Sequence, residues 1–134
     1  MLRYMLDTNI CIYVLKQRPP QVRDRFNRHA AQLCTSSVVA AELYYGVEKS
    51  SAPAGNLEQV EGFLARLDVL PFDTRAAGHF GQIRAALESD GQPIGAYDFM
   101  IAAHARSQGL TVVTNNTREF DRVGGLLVEN WVQA

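Results

Sequence analysis

The stretch at residues 4–16, YMLDTNICIYVLK, decides the fold class because two structural patterns meet in it at one acid. Residues 2–6 are mostly apolar and predict a strand that ends at Asp7. The polar Thr8 and Asn9 then lead into ICIYVLK, which predicts a short helix. Asp7 therefore stands where a predicted strand ends and a predicted helix begins.

The same alternation of strands and helices continues outward from this stretch. Further strands are predicted at residues 33–35, 67–72 and 110–114, with an edge strand in LLVENW near the carboxyl end. Helices are predicted at residues 21–32, at 38–50 after a cap at Ser36 or Ser37, at 57–67, at 75–89 after a cap at Thr74, and at 97–108 before Gly109. This order predicts an α/β fold, a parallel β-sheet flanked by α-helices, in a single domain over residues 1–134. Functional groups are then expected beyond the carboxyl ends of the strands.

Composition excludes several classes of protein. With 134 residues, 47% hydrophobic and 20% charged, the chain can bury one ordinary core and is not a disordered segment. No apolar run approaches the roughly 20 residues that cross a bilayer, and the amino end lacks the pattern of a secretory signal. We expect a soluble cytoplasmic protein without membrane contact. Cys11 and Cys34 are expected to be buried free thiols, since neither belongs to a metal-binding motif.

The net charge of −1 argues against a protein that holds nucleic acid by a global positive field. A local field remains, because residues 16–28 contain five basic side chains and only one acid, Asp24. Arg23, Arg25 and Arg28 are candidates for contacts with RNA phosphates. The alternative is that they form an ordinary solvated helix face.

Three acids stand alone in sequence that is otherwise uncharged and largely apolar: Asp7, Glu42 and Asp98. Burying a carboxylate is unfavourable unless a cation or hydrogen bonds compensate it. Asp7 alone is explained by a helix cap and Asp98 by the first turn of a helix, whereas Glu42 lies in the middle of its helix. If the three converge at one end of the sheet, they provide the oxygen ligands that Mg²⁺ or Mn²⁺ prefers.

A fourth position lies in TNNTREF, directly after the predicted strand at residues 110–114. Asn116 can give only a neutral carbonyl oxygen, whereas Glu119 gives a full charge if the short turn directs it inward. Alternatively the asparagines form a turn and Glu119 is solvated. His104 is off the helical face of Asp98 and is interpreted as a core or surface histidine. Motifs of hydrolase triads and of phosphate-binding loops are absent from the sequence.

Taken together, MLDTNICI, SSVVAAELYYGVEKS, IGAYDFMIAAHA and TNNTREF, in this order and at these separations, resemble the PIN domain of the VapC toxins from bacterial VapBC toxin–antitoxin modules. The resemblance covers nearly the whole chain. It implies a parallel-sheet α/β fold, a divalent-metal endoribonuclease activity, a dimer, and inhibition by a VapB antitoxin in a higher hetero-oligomer. Similarity to the enteric VapC group further implies cleavage of initiator tRNA in its anticodon stem-loop.

The resemblance also suggests roles for individual residues. By position, Asp7, Glu42 and Asp98 correspond to the three acids of the family. Asn116 stands where many members carry a fourth acid, which leaves that role to Asn116 itself, to Glu119 or to a water molecule. Asp7 and Asp98 are expected to coordinate Mg²⁺ directly, and Glu42 to act through water or to orient the nucleophile.

Two other interpretations compete with a nuclease. A receiver-type phosphoacceptor needs a second acid beside Asp7 and a lysine after a later strand, but the only lysines, Lys16 and Lys49, lie on predicted helices. The stronger alternative is a catalytically inactive PIN-like module that acts by binding RNA or a partner protein.

A dimer of so small a domain is expected to use large apolar side chains on short helices. Candidates are Tyr44, Tyr45, Phe63 and Leu64. Each of them could equally fill the core.

Overall fold

Five parallel strands in the order β3-β2-β1-β4-β5 form one sheet in this computed structural model, which describes residues 1–133. The strands are β1 (Tyr4–Leu6), β2 (Leu33–Ser36), β3 (Asp68–Leu70), β4 (Thr111–Val113) and β5 (Leu127–Glu129). The predicted parallel sheet is confirmed, and the predicted edge strand near the carboxyl end is β5.

Helices cover both faces of the sheet. They are α1 (Thr8–Lys16), α2 (Pro20–Arg28), α3 (Ser37–Lys49), α4 (Pro53–Leu64), α5 (Thr74–Ser89), α6 (Ala96–Gln108) and α7 (Thr117–Phe120), with a 3₁₀ turn at Ala30–Gln32. Contacts group α1 to α4 together and pair α5 with α6. None of these helices has the length and apolar character needed to cross a membrane.

The central strands β1, β2 and β4 are buried along their whole length, so their sequences do not alternate between buried apolar and exposed polar residues. Leu6, the last residue of β1, pairs with Thr35 on one side and with Val113 on the other. The chain runs outward through β2 and β3, and then crosses back to place β4 and β5 on the other side of β1. Such a reversal of strand order leaves a crevice beyond the carboxyl ends of β1 and β4.

Several helix ends differ from the sequence-based prediction. The helix predicted at residues 21–32 ends at Arg28 and is followed by the separate 3₁₀ turn. The cap of α5 is Asp73, whose Oδ1 accepts from the Ala76 amide at 3.0 Å, and not Thr74. Helix α4 begins at Pro53, four residues before the predicted start at residue 57, because proline is well suited to the first helical turn. The predicted end of α6 at Gly109 is confirmed, and its φ of 68° is the left-handed conformation that favours glycine. Cys11 and Cys34 are buried free thiols, as predicted.

Candidate active site

Asp7 lies immediately beyond β1 and is only 4% exposed. Its Oδ1 accepts from the Ile10 amide at 3.0 Å, which caps α1, and its Oδ2 accepts from the Thr114 hydroxyl at 2.5 Å. Burial raises the pKa of Asp7 to about 6; the hydrogen bonds from Thr114 and Ile10 oppose this shift, and the charge of Glu42 adds to it. Asp7 is therefore both a cap and a carboxyl group that is easily protonated.

Glu42 reaches the same end of the sheet from α3. This helix begins directly after β2, where the Ser36 hydroxyl accepts from the Val38 amide at 3.1 Å. The Thr8 hydroxyl, on the residue after Asp7, donates to Oε1 of Glu42 at 2.5 Å. The segment directly after β1 therefore supplies one acid, Asp7, and through the Thr8 hydroxyl it also holds a second acid, Glu42.

Asp98 and Glu119 form a second pair, joined by the side chain of Asn116. The Nδ2 of Asn116 donates to Oδ2 of Asp98 at 3.3 Å and to Oε2 of Glu119 at 2.8 Å. Burial is the largest of several causes that raise the pKa of Asp98 to about 7, and it is followed by the hydrogen bond and charge of Glu119 and by the charges of Asp7 and Glu42. Asp98 is therefore close enough to the other three carboxyl groups for their charges to raise its pKa.

The short helix α7 directs Glu119 toward Asp98 instead of leaving it solvated. Asn116 presents its amide donor, rather than its carbonyl oxygen, to both acids. In this arrangement Asn116 acts as a bridge between two carboxyl groups, and its role as a ligand stays a prediction.

The acids have no cationic partner in the part of the chain that the structure describes. The two ion pairs within residues 1–133 are Arg23–Asp24 and Arg84–Glu88, both away from this cluster. Thr8, Thr114 and Asn116 instead donate neutral hydrogen bonds to the carboxyl oxygens. The site therefore carries negative charge that its own side chains do not balance.

The carboxylate oxygens of this cluster match the chemistry of a hard divalent cation, which prefers such ligands. Residues 1–133 nevertheless contain no group of three acidic, histidine or cysteine side chains already placed to hold a metal. Neutral donors occupy both oxygens of Asp7 and one oxygen each of Glu42, Asp98 and Glu119, and they link the acids without bringing them into a closed ligand shell. The residues thus fit a divalent ion by charge and donor type, and binding requires a local adjustment of these side chains.

The predicted RNA-binding arginines are not brought together with the acids. Helix α1 runs back from the carboxyl edge of the sheet, and α2 follows after three residues. The end of α2 is joined through the 3₁₀ turn to the first residue of β2, so Arg23, Arg25 and Arg28 lie toward the amino edge. Their contact with RNA stays a prediction.

The four candidates for a dimer interface have different environments. Phe63 is buried, and its ring stacks on Phe26 at 5.6 Å between centroids, so it fills the core. Leu64 is partly buried against the same core. Tyr44 and Tyr45 are 39% and 64% exposed on α3 and remain available for a partner.

Two site residues were missed by the sequence analysis, namely Thr114 and the hydroxyl of Thr8. Both adjoin motifs that it identified, Thr8 in DTN and Thr114 in TNNTREF. Their position beside predicted acids at strand ends was the available signal, but their hydrogen-bond partners are remote in sequence.

Comparison with known proteins identifies the family. The sequence model of the PIN-domain family matches residues 4–126 of this chain. The chain is 58% identical over 131 residues to the tRNA(fMet)-specific endonuclease VapC of Shigella flexneri, covering 98% of this chain and 99% of the relative. It is 54% identical to ribonuclease VapC2 of Haemophilus influenzae, covering 98% of this chain and all of the relative. Among solved structures, DNA-bound VapBC from Salmonella typhimurium superposes with a TM-score of 0.94 at 56% identity, covering 98% of this chain and 99% of that chain.

Proposed function

Because this chain belongs to the PIN-domain family and to its VapC branch, we propose that it is the toxin of a toxin–antitoxin pair and an endoribonuclease that cleaves initiator tRNA. The single observation that carries the proposal is the cluster of Asp7, Glu42, Asp98 and Glu119, which lacks a cationic partner within residues 1–133. Such excess negative charge suits a metal-dependent nuclease better than an inactive binding module, which has no need of it.

The proposed cofactor is Mg²⁺, with Mn²⁺ as a substitute, and Asp7 and Asp98 would hold it directly. A bound divalent ion supplies positive charge for the scissile phosphate and lowers the pKa of water. Glu42 orients the attacking water and accepts its proton at Oε2, since Oε1 already accepts from Thr8. Glu119 completes the site through its contact with Asn116, which also holds Asp98.

The substrate proposal is narrower than the family. The relative from Shigella flexneri is named for tRNA(fMet), and high identity over almost the full length supports the same substrate here. We place the cut in the anticodon stem-loop, as the resemblance to the enteric VapC group implies, and proteins recognise RNA sequence mostly in single-stranded loops. A tRNA is large enough to reach from the carboxyl edge to the arginines of α2. Acting on tRNA, the protein would work in the cytoplasm.

The proposed partner is a VapB-type antitoxin, since the Salmonella typhimurium structure is a VapBC complex. A cavity of about 350 Å³ between α1, α3 and α4 is a suitable contact. It is lined mainly by apolar side chains such as Ile12, Leu15 and Val60, and Glu42 lies at its border with the acid cluster. A segment bound there would lie beside the active site and block the approach of RNA. We further propose that the free toxin is a homodimer.

The decisive experiment uses purified protein freed of antitoxin. Initiator tRNA should be cut once in its anticodon stem-loop when Mg²⁺ is present and left intact with EDTA, and elongator methionine tRNA should be cut much more slowly. Addition of antitoxin should stop the reaction. A well-folded protein that binds initiator tRNA but never cuts it with either metal would identify the inactive binding module instead.

A further inference from the structure

His104 is fully buried on α6, at the contact between the two helices that carry Asp98 and Glu42. Its Nδ1 lies 2.7 Å from the Ser36 hydroxyl oxygen. His104 follows Asp98 by six residues and Ser36 precedes Glu42 by six residues. One hydrogen bond therefore ties the helix of one acid to the first turn of the helix of another.

The hydroxyl oxygen of Ser36 also accepts from the Val38 amide at 3.1 Å and so caps α3. The next residue, Ser37, accepts from the Phe72 amide at 3.0 Å, and the Phe72 ring meets the His104 ring edge-on with centroids 5.6 Å apart. The start of α3 is thus fixed from α6 and from the segment that follows β3.

The two ring nitrogens of His104 have different surroundings. Nδ1 shares a hydrogen bond with the Ser36 hydroxyl, in which either group is able to donate. Nε2 is buried and has no hydrogen-bond partner in the described part of the chain. Burial lowers the pKa of His104, and the negative charge of Asp73 only partly opposes this, so the ring is neutral.

An unpaired nitrogen in the core offsets part of the stability that the Ser36 hydrogen bond provides, and a leucine would leave no unpaired nitrogen there. Stability alone therefore gives little reason for a histidine at this position. The feature that only a hydrogen-bonding residue supplies is the fixed contact with Ser36.

We propose that His104 is a positioning residue that sets Glu42 relative to Asp98 by holding the first turn of α3 against α6. The inference rests on the proposed function, since the spacing of the two acids matters only if they serve one metal site. A small rotation of α3 about its first turn moves Glu42, and metal binding is sensitive to such displacements.

A matched pair of substitutions tests this role. Asn and Leu have the same branched shape, but only Asn can form a hydrogen bond with the Ser36 hydroxyl. We expect His104→Leu to weaken Mn²⁺ binding, measured by calorimetry, by about tenfold or more and to lower kcat for RNA cleavage with KM unchanged. His104→Asn should restore most of both. Ser36→Ala should show the same loss, and should add little when combined with His104→Leu.

Val22→Ala is the control for general destabilisation, because Val22 is buried on α2 toward the opposite edge of the sheet. It should lower the melting temperature without changing Mn²⁺ affinity. Equal Mn²⁺ affinity for the Leu and Asn variants, or losses that simply follow melting temperature, would overturn the positioning role while leaving the nuclease proposal intact. If His104→Leu fails to fold, normal Mn²⁺ affinity in Ser36→Ala would overturn it. Wild-type protein that neither binds Mn²⁺ nor cuts RNA would contradict the proposed function and this inference with it.

Discussion

Asp7 combines a structural and a chemical role in one side chain, and a single substitution separates them. Its folded-state pKa of about 6, against an ordinary value of 3.8, means that ionised Asp7 costs the fold up to about 3 kcal/mol at neutral pH. Asn keeps an oxygen for the Ile10 amide but gives up the favourable acceptor for Thr114. We therefore expect Asp7→Asn to abolish cleavage and to raise metal-free stability by about 1 kcal/mol.

Thermal unfolding in EDTA at pH 7.5, beside a cleavage assay, measures both effects. Asp24→Asn is the matched control, because Asp24 is exposed on α2 and should change neither property. Full ribonuclease activity in folded Asp7→Asn protein would refute the assignment of this residue to the site.

The raised pKa values of Asp7 and Asp98 also predict how the metal-free protein responds to pH. Both carboxyl groups bind protons more tightly in the folded state, so this contribution to stability is complete below about pH 4 and is lost as pH rises through about 6 and 7. Divalent-ion affinity should rise across the same window, because the ligands must first lose their protons.

The pH effect is measured by denaturant unfolding in EDTA between pH 5 and pH 8. The difference in stability between the wild type and the Asp7→Asn, Asp98→Asn double variant should grow in favour of the variant as pH increases. Parallel pH profiles for the two proteins would show that these acids titrate normally in the folded state.

At the scale of elements, α3 is the helix that carries a site acid on one side and exposed tyrosines on another. Tyr45 is 64% exposed, and the Lys49 ammonium lies 5.4 Å from the centre of its ring. We expect Tyr44→Glu with Tyr45→Glu to convert a dimer to a monomer, because charge disfavours an apolar interface.

Light scattering at micromolar concentration gives the mass directly. Leu57→Glu is the control, since Leu57 is similarly exposed but lies on α4. A wild-type monomer would end the dimer proposal, and a dimer that persists in the tyrosine variant would move the interface away from α3.

Several elements were predictable from sequence because local signals determine them. The apolar run before Asp7 and the β-branched residues 111–113 are central strands because they are buried on both faces, and Gly109 ends α6 by its conformation. Contacts between remote residues were not predictable. Nothing in the local sequence distinguishes buried Phe63 from exposed Tyr45. The inward direction of Glu119 depends on the hydrogen bonds of Asn116 to both Glu119 and Asp98, and Asp98 is remote from them in sequence.

At the scale of the whole molecule, the two edges of the sheet divide the charges. The acids lie at the carboxyl edge of the sheet and the arginines of α2 lie toward the amino edge. This separation predicts that substitutions can change RNA affinity and metal affinity independently. Arg23→Ala with Arg25→Ala should weaken RNA binding and reduce the slope of log affinity against log salt by about 0.7–0.9 for each lost phosphate contact. Metal affinity should not change, whereas Asp98→Asn should lower metal affinity and leave the salt slope unaltered.

Binding of uncleaved RNA in EDTA over a range of salt concentrations measures the slope. Arg118→Ala provides a comparison at the acid edge, since Arg118 is exposed beside Glu119 on α7. An unchanged slope in the α2 double variant, with a reduced slope in Arg118→Ala, would place the RNA path along the rim of the acid cluster near Arg118 and Arg122.

Glu42 borders two surfaces, the acid cluster on one side and the apolar cavity between α1, α3 and α4 on the other. If ligands on the two surfaces both contact this carboxylate, their binding equilibria are thermodynamically linked. If a peptide in the cavity changes divalent-ion affinity by some factor, the ion must change peptide affinity by the same factor. The free magnesium concentration would then set how readily the inhibitor leaves, and the toxin would be released by a shift in a shared equilibrium as well as by destruction of its inhibitor.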